Sequence, residues 1–120
     1  MKNGIELYKN FIDDLVEMSL SCVDSNLVKK GKVTENDETN KGINKILKKL
    51  NPKERNILSE FILDTYNSGI YDTLEQLEWL RCCKDMVITI EGENLPLGKY
   101  EGIPCDYIGR RSGEWKWPED

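Results

Sequence analysis

Acidic side chains at helical spacing are the first residues of this sequence that suggest chemistry. Asp13, Asp14 and Glu17 fall close together, and Glu75 lies three positions before Glu78. Paired carboxylates can act as general acid and base or hold a divalent cation, provided that they converge in a pocket. Spacing alone does not show convergence, and the simpler interpretation places both groups on solvated helix faces. We therefore predict no catalytic residue and no metal site from them.

Other residue types narrow the possible enzyme classes. The chain contains no histidine, which removes Ser-His-Asp triads, Cys-His dyads and histidine-based zinc sites. No glycine pattern matches a dinucleotide- or phosphate-binding loop, so no cofactor is predicted. Without C-x-x-C spacing, the four cysteines are predicted to be free, buried thiols: Cys22, Cys82, Cys83 and Cys105. An enzyme would have to rely on carboxylate, lysine, tyrosine or cysteine chemistry, and a non-enzymatic protein is the preferred interpretation.

A basic segment interrupts an otherwise acidic chain. Residues 29–55 carry nine Lys or Arg against four acids, although the whole protein has a net charge of −5. Lys45, Lys48 and Lys49 would project from one side of a short helix as a basic patch. The overall acidity and the lack of aromatic residues in this segment disfavour nucleic acid as a partner. The patch is predicted to be a solvated face, with an acidic protein or a phosphate-bearing partner as the alternatives.

The C-terminal sequence CDYIGRRSGEWKWPED concentrates large aromatic and basic side chains. Trp115 and Trp117 are two positions apart, so both would face one side of an extended chain. Burying two indoles removes enough apolar surface to hold a terminus on the domain. This tail-closure interpretation is preferred, with Arg110 and Arg111 pairing with acids of the fourth helix. The alternative is a surface for a protein partner, because interfaces favour such residues: Tyr107, Arg110, Arg111, Trp115 and Trp117.

The same tail carries a resemblance. Its pattern of Asp, an aromatic residue and Arg, followed by Gly-x-Trp-x-Trp-Pro, comprises Asp106, Tyr107, Arg110, Gly113, Trp115, Trp117 and Pro118. This pattern resembles the ending of small uncharacterised bacterial proteins known only as domains of unknown function. The helix from Leu74 to Trp79 and the turn at 91–96 fit the same resemblance. It implies a small, mostly helical bacterial protein and brings no activity or catalytic residue with it.

The elements that must position these residues are mainly helical. Apolar residues recur at helical spacing over 4–23, so one long helix is predicted there, with 24–26 as its stop. Residues 29–42 are polar and contain two glycines, which predicts a mobile loop. A short helix is predicted at 43–50, and a longer one at 52–66. Asn51 is the expected N-cap of the longer helix, and Gly69 is its expected C-cap.

The C-terminal part is predicted to change character. A fourth helix is expected to start at 72–75 and end near residue 84 or 85. It would be followed by a strand at 86–91, or would itself run on to residue 91. The Gly- and Pro-rich segment 92–120 argues against regular helix. A second strand near 103–109 would then pair with the first in a small ribbon.

These observations lead to one fold class and one preferred function. We predict a single domain over 1–120 that is mainly α, with about four helices in a bundle-like arrangement and a C-terminal β-ribbon or irregular tail packed on it. No apolar run is long enough to span a membrane and no signal peptide is evident, so we expect a cytoplasmic protein. The preferred function is a non-enzymatic interaction or regulatory module of the immunity or antitoxin kind. The alternatives are a carboxylate- or cysteine-dependent enzyme and a nucleic-acid accessory protein that uses the basic segment. The partner and the oligomeric state are open.

Overall fold

A computed structural model of the chain describes residues 2–119. These residues form five helices and one antiparallel ribbon of two short strands, so the prediction of a mainly α fold with a small β-ribbon is confirmed. Thr89 pairs with Asn94 and Ile90 pairs with Glu93 in the ribbon. The elements are α1 (Gly4–Ser19), α2 (Val23–Lys30), α3 (Glu38–Leu47), α4 (Pro52–Lys84), β1 (Thr89–Ile90), β2 (Glu93–Asn94) and α5 (Ile103–Ser112).

The chain divides into two compact units. The central unit consists of residues 19–67. The terminal unit combines the N-terminal part of the chain up to Met18 with the C-terminal part from Ser68 onward. The core of the terminal unit is Leu7, Tyr8, Ile12, Leu74, Leu95, Leu97, Ile103 and Tyr107. The core of the central unit is Val28, Val33 and Leu47, with Leu27, Ile43, Leu50, Leu58 and Ile62 packed against it. A single domain over 1–120 stays a prediction.

The long first helix predicted over 4–23 is wrong, because α1 ends at Ser19. Cys22 then adopts an extended conformation, and its Sγ accepts a hydrogen bond from the backbone N of Ser25 at 3.4 Å. This interaction caps α2, which contains the residues 24–26 that were predicted to stop the first helix. Apolar periodicity continues across the break and therefore conceals it.

The loop predicted over 29–42 is shorter than expected. Residues 29 and 30 belong to α2, and α3 begins at Glu38 and ends at Leu47. The Asp37 carboxylate accepts a hydrogen bond from the backbone N of Asn40 at 2.8 Å and so caps α3. This cap supplies the start signal that apolar periodicity missed, because the first turn of α3 is polar. The helix predicted over 43–50 is correspondingly shifted.

Helix α4 starts and ends where the sequence predicted, but it is one continuous helix where two helices were predicted. Asn51 and Glu54 form a reciprocal capping box, with bonds of 2.8 and 2.9 Å between their side chains and backbone N atoms. The expected C-cap at Gly69 and the new helix start at 72–75 are both wrong, because α4 runs through them to Lys84. Thr73 Oγ1 donates to the Gly69 carbonyl at 2.8 Å, as Thr side chains do inside helices.

Gly69 therefore provides a test of this continuity. We expect Gly69→Ala to raise the free energy of unfolding by about 0.5–1 kcal/mol, because alanine costs less backbone entropy in a helix interior. A Cβ at Gly69 would meet no atom within 4 Å. Urea denaturation followed by circular dichroism measures the change. A loss of stability would instead indicate a left-handed C-cap at this position and contradict the continuous helix.

The second predicted strand, near 103–109, is wrong because residues Ile103–Ser112 form α5. Pro104 lies in its first turn, where a missing N–H costs little. The backbone N of Ile103 donates to Glu78 Oε2 at 2.9 Å, and left-handed Gly113 ends the helix. The strand that pairs with β1 is the nearby β2, so the ribbon closes through a tight turn at Glu91 and Gly92.

Candidate functional site

The central unit contains two neighbouring cavities. The first, of about 570 Å³, lies among α2, α3, the 31–37 loop and the first half of α4. The second, of about 630 Å³, lies beside the start of α2 and is bordered by Thr65 and Tyr66 of α4. Asp24 and Ile62 line both cavities, which therefore adjoin along α2 and α4. We call the two together the central groove.

The lining of the first cavity is mainly apolar. Eight of its twelve residues are Leu, Ile or Val: Leu27, Val28, Val33, Ile43, Ile46, Leu47, Leu58 and Ile62. Ile46 is 58% exposed although it lines this cavity, so the groove presents apolar surface directly to solvent. A cavity of this size and composition is typical of sites that bind a ligand or a partner side chain.

Two buried polar contacts hold the walls of the groove. Ser25 Oγ donates to the Ser59 carbonyl at 2.9 Å, and Ser59 Oγ donates to the Ser25 carbonyl at 2.8 Å. This reciprocal pair of small side chains fixes α2 against α4. Asn44 ties the loop to α3, because its side chain bonds both the backbone N and the carbonyl of Val33, at 2.8 and 2.9 Å. The groove is therefore built on a hydrogen-bonded frame.

The predicted basic patch lies apart from this groove. Lys45, Lys48 and Lys49 are exposed, and none of them lines either cavity. Lys45 is two positions from both Ile43 and Leu47, so it lies on the opposite side of α3 from these groove residues. Its role as a binding patch stays a prediction.

In the terminal unit, a buried carboxyl group links α1 to α5. Asp106 is fully buried in the first turn of α5. Its Oδ2 accepts a hydrogen bond from the Tyr8 hydroxyl at 2.5 Å, and its Oδ1 accepts one from the backbone N of Glu101 at 2.9 Å. Burial raises the pKa of the Asp106 carboxyl, and the hydrogen bonds from Tyr8 and Glu101 only partly oppose that effect. Burial and the bond to Asp106 also raise the pKa of Tyr8.

The raised pKa of Asp106 predicts a pH dependence of stability. The folded state holds this proton more tightly than the unfolded chain, so the stabilising contribution of the group is complete below the ordinary pKa of 3.8 and is lost as pH rises through the folded pKa. We therefore expect the stability of the wild type relative to Asp106→Asn to fall as the pH rises above the ordinary carboxyl pKa of 3.8. Urea denaturation as a function of pH measures it, with Asp72→Asn as the control for loss of an exposed charge. A difference that grows with pH would contradict the assignment.

The tail residues meet α1 and the loop before α5 within the terminal unit. Tyr107 is fully buried in the core, and Trp115 and Trp117 are half-buried. The Trp117 ring centroid lies 4.9 Å from that of Trp115, 5.1 Å from that of Tyr100 and 5.9 Å from that of Tyr8. These contacts bring the two tryptophan rings together, and the role of the tail as a closure or as a partner surface stays a prediction.

Arg110 pairs with a different helix from the one predicted. Its Nε donates to Asp13 Oδ1 at 2.8 Å and its guanidinium carbon lies 5.4 Å from the Trp117 ring centroid. Trp117 Nε1 donates to Asp13 Oδ2 at 3.1 Å. The expected partners were acids of the fourth helix, but the acid that meets Arg110 is on α1. Arg111 is half-buried.

The other residues singled out by type are dispersed. Glu78 contacts Arg81 and the backbone N of Ile103, so it serves as a structural acceptor. Within residues 2–119, no group of three or more Cys, Asp or Glu side chains converges in a way that could hold a metal ion. The four cysteines are free, but the prediction that they are buried is wrong: Cys22 is half-buried, and Cys82, Cys83 and Cys105 are exposed. They lie at helix ends and on outward-facing turns.

Sequence reasoning missed the central groove. A sequence signal for it was present in α4. There, Ile57, Leu58, Phe61 and Ile62 form an apolar face that is wider than packing against a single core needs. Leu58 and Ile62 pack on the core, while Ile57 and Phe61 are 61% and 66% exposed. The groove itself depends on the loop that Asn44 positions, and no spacing rule reveals that interaction.

No helix in the described residues 2–119 is long and apolar enough to cross a membrane.

Comparisons with known proteins identify the family. No curated protein and no solved structure matches the chain. One family model, described as a family of unknown function (DUF6547), matches residues 1–119, which is nearly the whole sequence. The chain is therefore a member of the DUF6547 family.

Proposed function

We propose that the protein is a non-enzymatic interaction module that binds a helical segment of a protein partner in the central groove. The observation that carries the proposal is the mainly apolar lining of the first cavity, which adjoins a second cavity of mixed lining on a unit that also exposes large apolar side chains. Exposed apolar surface of this kind is characteristic of interaction sites. A regulatory protein would act by occupying or sequestering such a partner.

The elongation of the groove favours a helix over a compact small molecule. Leu58, Ile62 and Tyr66 follow one another along α4 and line successive parts of it. Tyr66 lies eight positions after Leu58 along the helix, which corresponds to a distance of about 12 Å. Amphipathic helices commonly bind in grooves of this form through apolar side chains spaced three or four residues apart.

A library of amphipathic helical peptides displayed on phage tests the proposal against the intact protein. We expect enrichment of peptides with apolar anchors three and four residues apart. Synthetic copies of them should bind the wild type measurably by fluorescence anisotropy. Ile46→Glu should weaken this binding at least about tenfold, because it places a charge in the apolar lining.

Ile57→Glu is the matched control, because Ile57 is as exposed as Ile46 but lines neither cavity. Its affinity for the peptides should equal that of the wild type. Failure to enrich any peptide, or an equal loss of affinity in both variants, would rule out the central groove as the binding site.

A further inference from the structure

Asp24 gives the central groove a charge preference. Of the described residues that line the two cavities, Asp24 alone is charged, and it lines both of them. Its side chain is exposed in the first turn of α2. No hydrogen bond or ion pair reaches its carboxylate from any of residues 2–119. The groove therefore combines a mainly apolar first cavity with one negative charge where the two cavities adjoin, and no described residue pairs with that charge.

We propose that the occupant of the groove is an amphipathic helix with a Lys or Arg beside its apolar face, placed to pair with Asp24. The inference rests on the proposed function, since it names the chemistry of the partner that the groove binds. The apolar anchors would enter the cavities on either side of Asp24, and the basic side chain would meet the carboxylate between them.

The physical reason lies in the cost of covering an unpaired carboxylate. A helix seated on the apolar lining removes water from Asp24, and a carboxylate that loses water without gaining a donor is strongly destabilised. A Lys or Arg restores the lost hydrogen bonds and adds Coulomb attraction. A Glu or Asp at the same place adds repulsion, so the groove discriminates against acidic helices.

The polar end of the first cavity does not supply a competing charge. Asn40 Nδ2 donates to the Thr34 carbonyl at 2.7 Å and to Asn36 Oδ1 at 2.6 Å. These side chains thus satisfy one another within the loop and close the groove with neutral groups. None of the basic-patch residues Lys45, Lys48 and Lys49 lines either cavity, so Asp24 is the one charged side chain among the described lining of the groove.

A peptide library in which the positions bordering the apolar face vary among Lys, Gln and Glu tests the inference. Selection against the wild type should enrich Lys at one border position. Selection against Asp24→Asn should lose that enrichment and keep the apolar anchors. For synthetic peptides that differ only there, the Lys form should bind the wild type roughly five- to tenfold more tightly than the Glu form. Moderate added salt should reduce this ratio.

Asp64→Asn is the control for a general change of charge, because Asp64 is an exposed acid of α4 that lines neither cavity. It should retain the preference for Lys. Enriched apolar anchors without a Lys preference, or a preference that persists in Asp24→Asn, would overturn this inference and leave the proposed function standing. If no apolar anchors are enriched, both fall.

Discussion

Asp106→Ala is expected to lower the free energy of unfolding by about 3–5 kcal/mol at neutral pH. The substitution leaves the Tyr8 hydroxyl and the backbone N of Glu101 without the acceptor that they share in the buried site. Each unsatisfied buried donor costs about 1–3 kcal/mol, and the lost side chain leaves a cavity as well. Because a protein of this size is stabilised by only about 5–15 kcal/mol, the loss is a large fraction of the total.

Chemical denaturation followed by circular dichroism measures this effect, and Asp72→Ala is its control. Asp72 is an exposed aspartate of α4, so its removal should change stability by less than about 0.5 kcal/mol. A double-mutant cycle with Tyr8→Phe isolates the contact between the two side chains. We expect a coupling energy of about 1–3 kcal/mol. Additive effects of the two substitutions would show that the Tyr8–Asp106 hydrogen bond does not stabilise the fold.

Trp117→Ala is expected to lower the free energy of unfolding by about 2–4 kcal/mol, somewhat less than truncation of a fully buried tryptophan. The substitution removes ring contacts with Tyr8, Tyr100 and Trp115. It also removes the hydrogen bond from Trp117 to Asp13, a carboxylate that Arg110 also contacts. The melting temperature should fall by about 10 °C. Thermal denaturation of the intact variant measures it.

Trp79→Ala is the matched control for the loss of an indole. Trp79 is 49% exposed on α4, and its ring contact is with the Lys84 ammonium group. Its substitution should cost less than about 1 kcal/mol. A chain that ends at Gly113 should lose at least as much stability as Trp117→Ala. If truncation leaves the melting temperature unchanged, the tail is not a structural closure, and the alternative of a partner surface gains support.

These two expectations concern the terminal unit, whereas the proposed binding site is in the central unit. Tail variants of intermediate stability should therefore keep their affinity for the selected peptides at temperatures where they remain folded. The same proteins can then be used for both kinds of measurement, which separates the stability of the fold from the binding of a partner.

Local signals in the sequence were reliable where one interaction decides the structure. The Asn51–Glu54 capping box predicted the start of α4 correctly. The β-branched pattern predicted a strand over 86–91, and β1 is the shorter segment Thr89–Ile90 within it. The end of α4 near residue 84 was also predicted. In each case the deciding contacts lie within a few residues along the chain, so residue type and spacing contain the necessary information.

Signals with two interpretations gave wrong predictions. Gly69 resembles a C-cap and 72–75 resembles a helix start, yet α4 passes through both because Leu74 and its neighbours pack into a core. Pro104 and several glycines argued against α5, although proline is well tolerated in the first turn of a helix. At such positions the local preferences for helix and for turn differ little in free energy, so tertiary packing determines which conformation forms.

The contacts of the tail were predictable in part, whereas the central groove was not. The two tryptophans of the tail were expected to share a face, and in the structure their rings are in contact. The acid that pairs with Arg110 was assigned to the wrong helix, because Asp13 is almost a hundred residues away in sequence. The central groove was not predicted at all, since it depends on where Asn44 holds the chain at Val33.

By itself the sequence determined the chemical classes available to this protein and most of its helical character. The absence of histidine and of cofactor motifs, the unequal distribution of charge and the helical periodicity are properties of residue type and spacing. Only the tertiary structure decided that Asp106 is buried and bonded to Tyr8, that Asp13 receives both Arg110 and Trp117, and that Asp24 lines both cavities of the central groove. The physical reason is that burial and pairing depend on contacts between distant segments, and these contacts set the energies of groups that are equivalent in the unfolded chain.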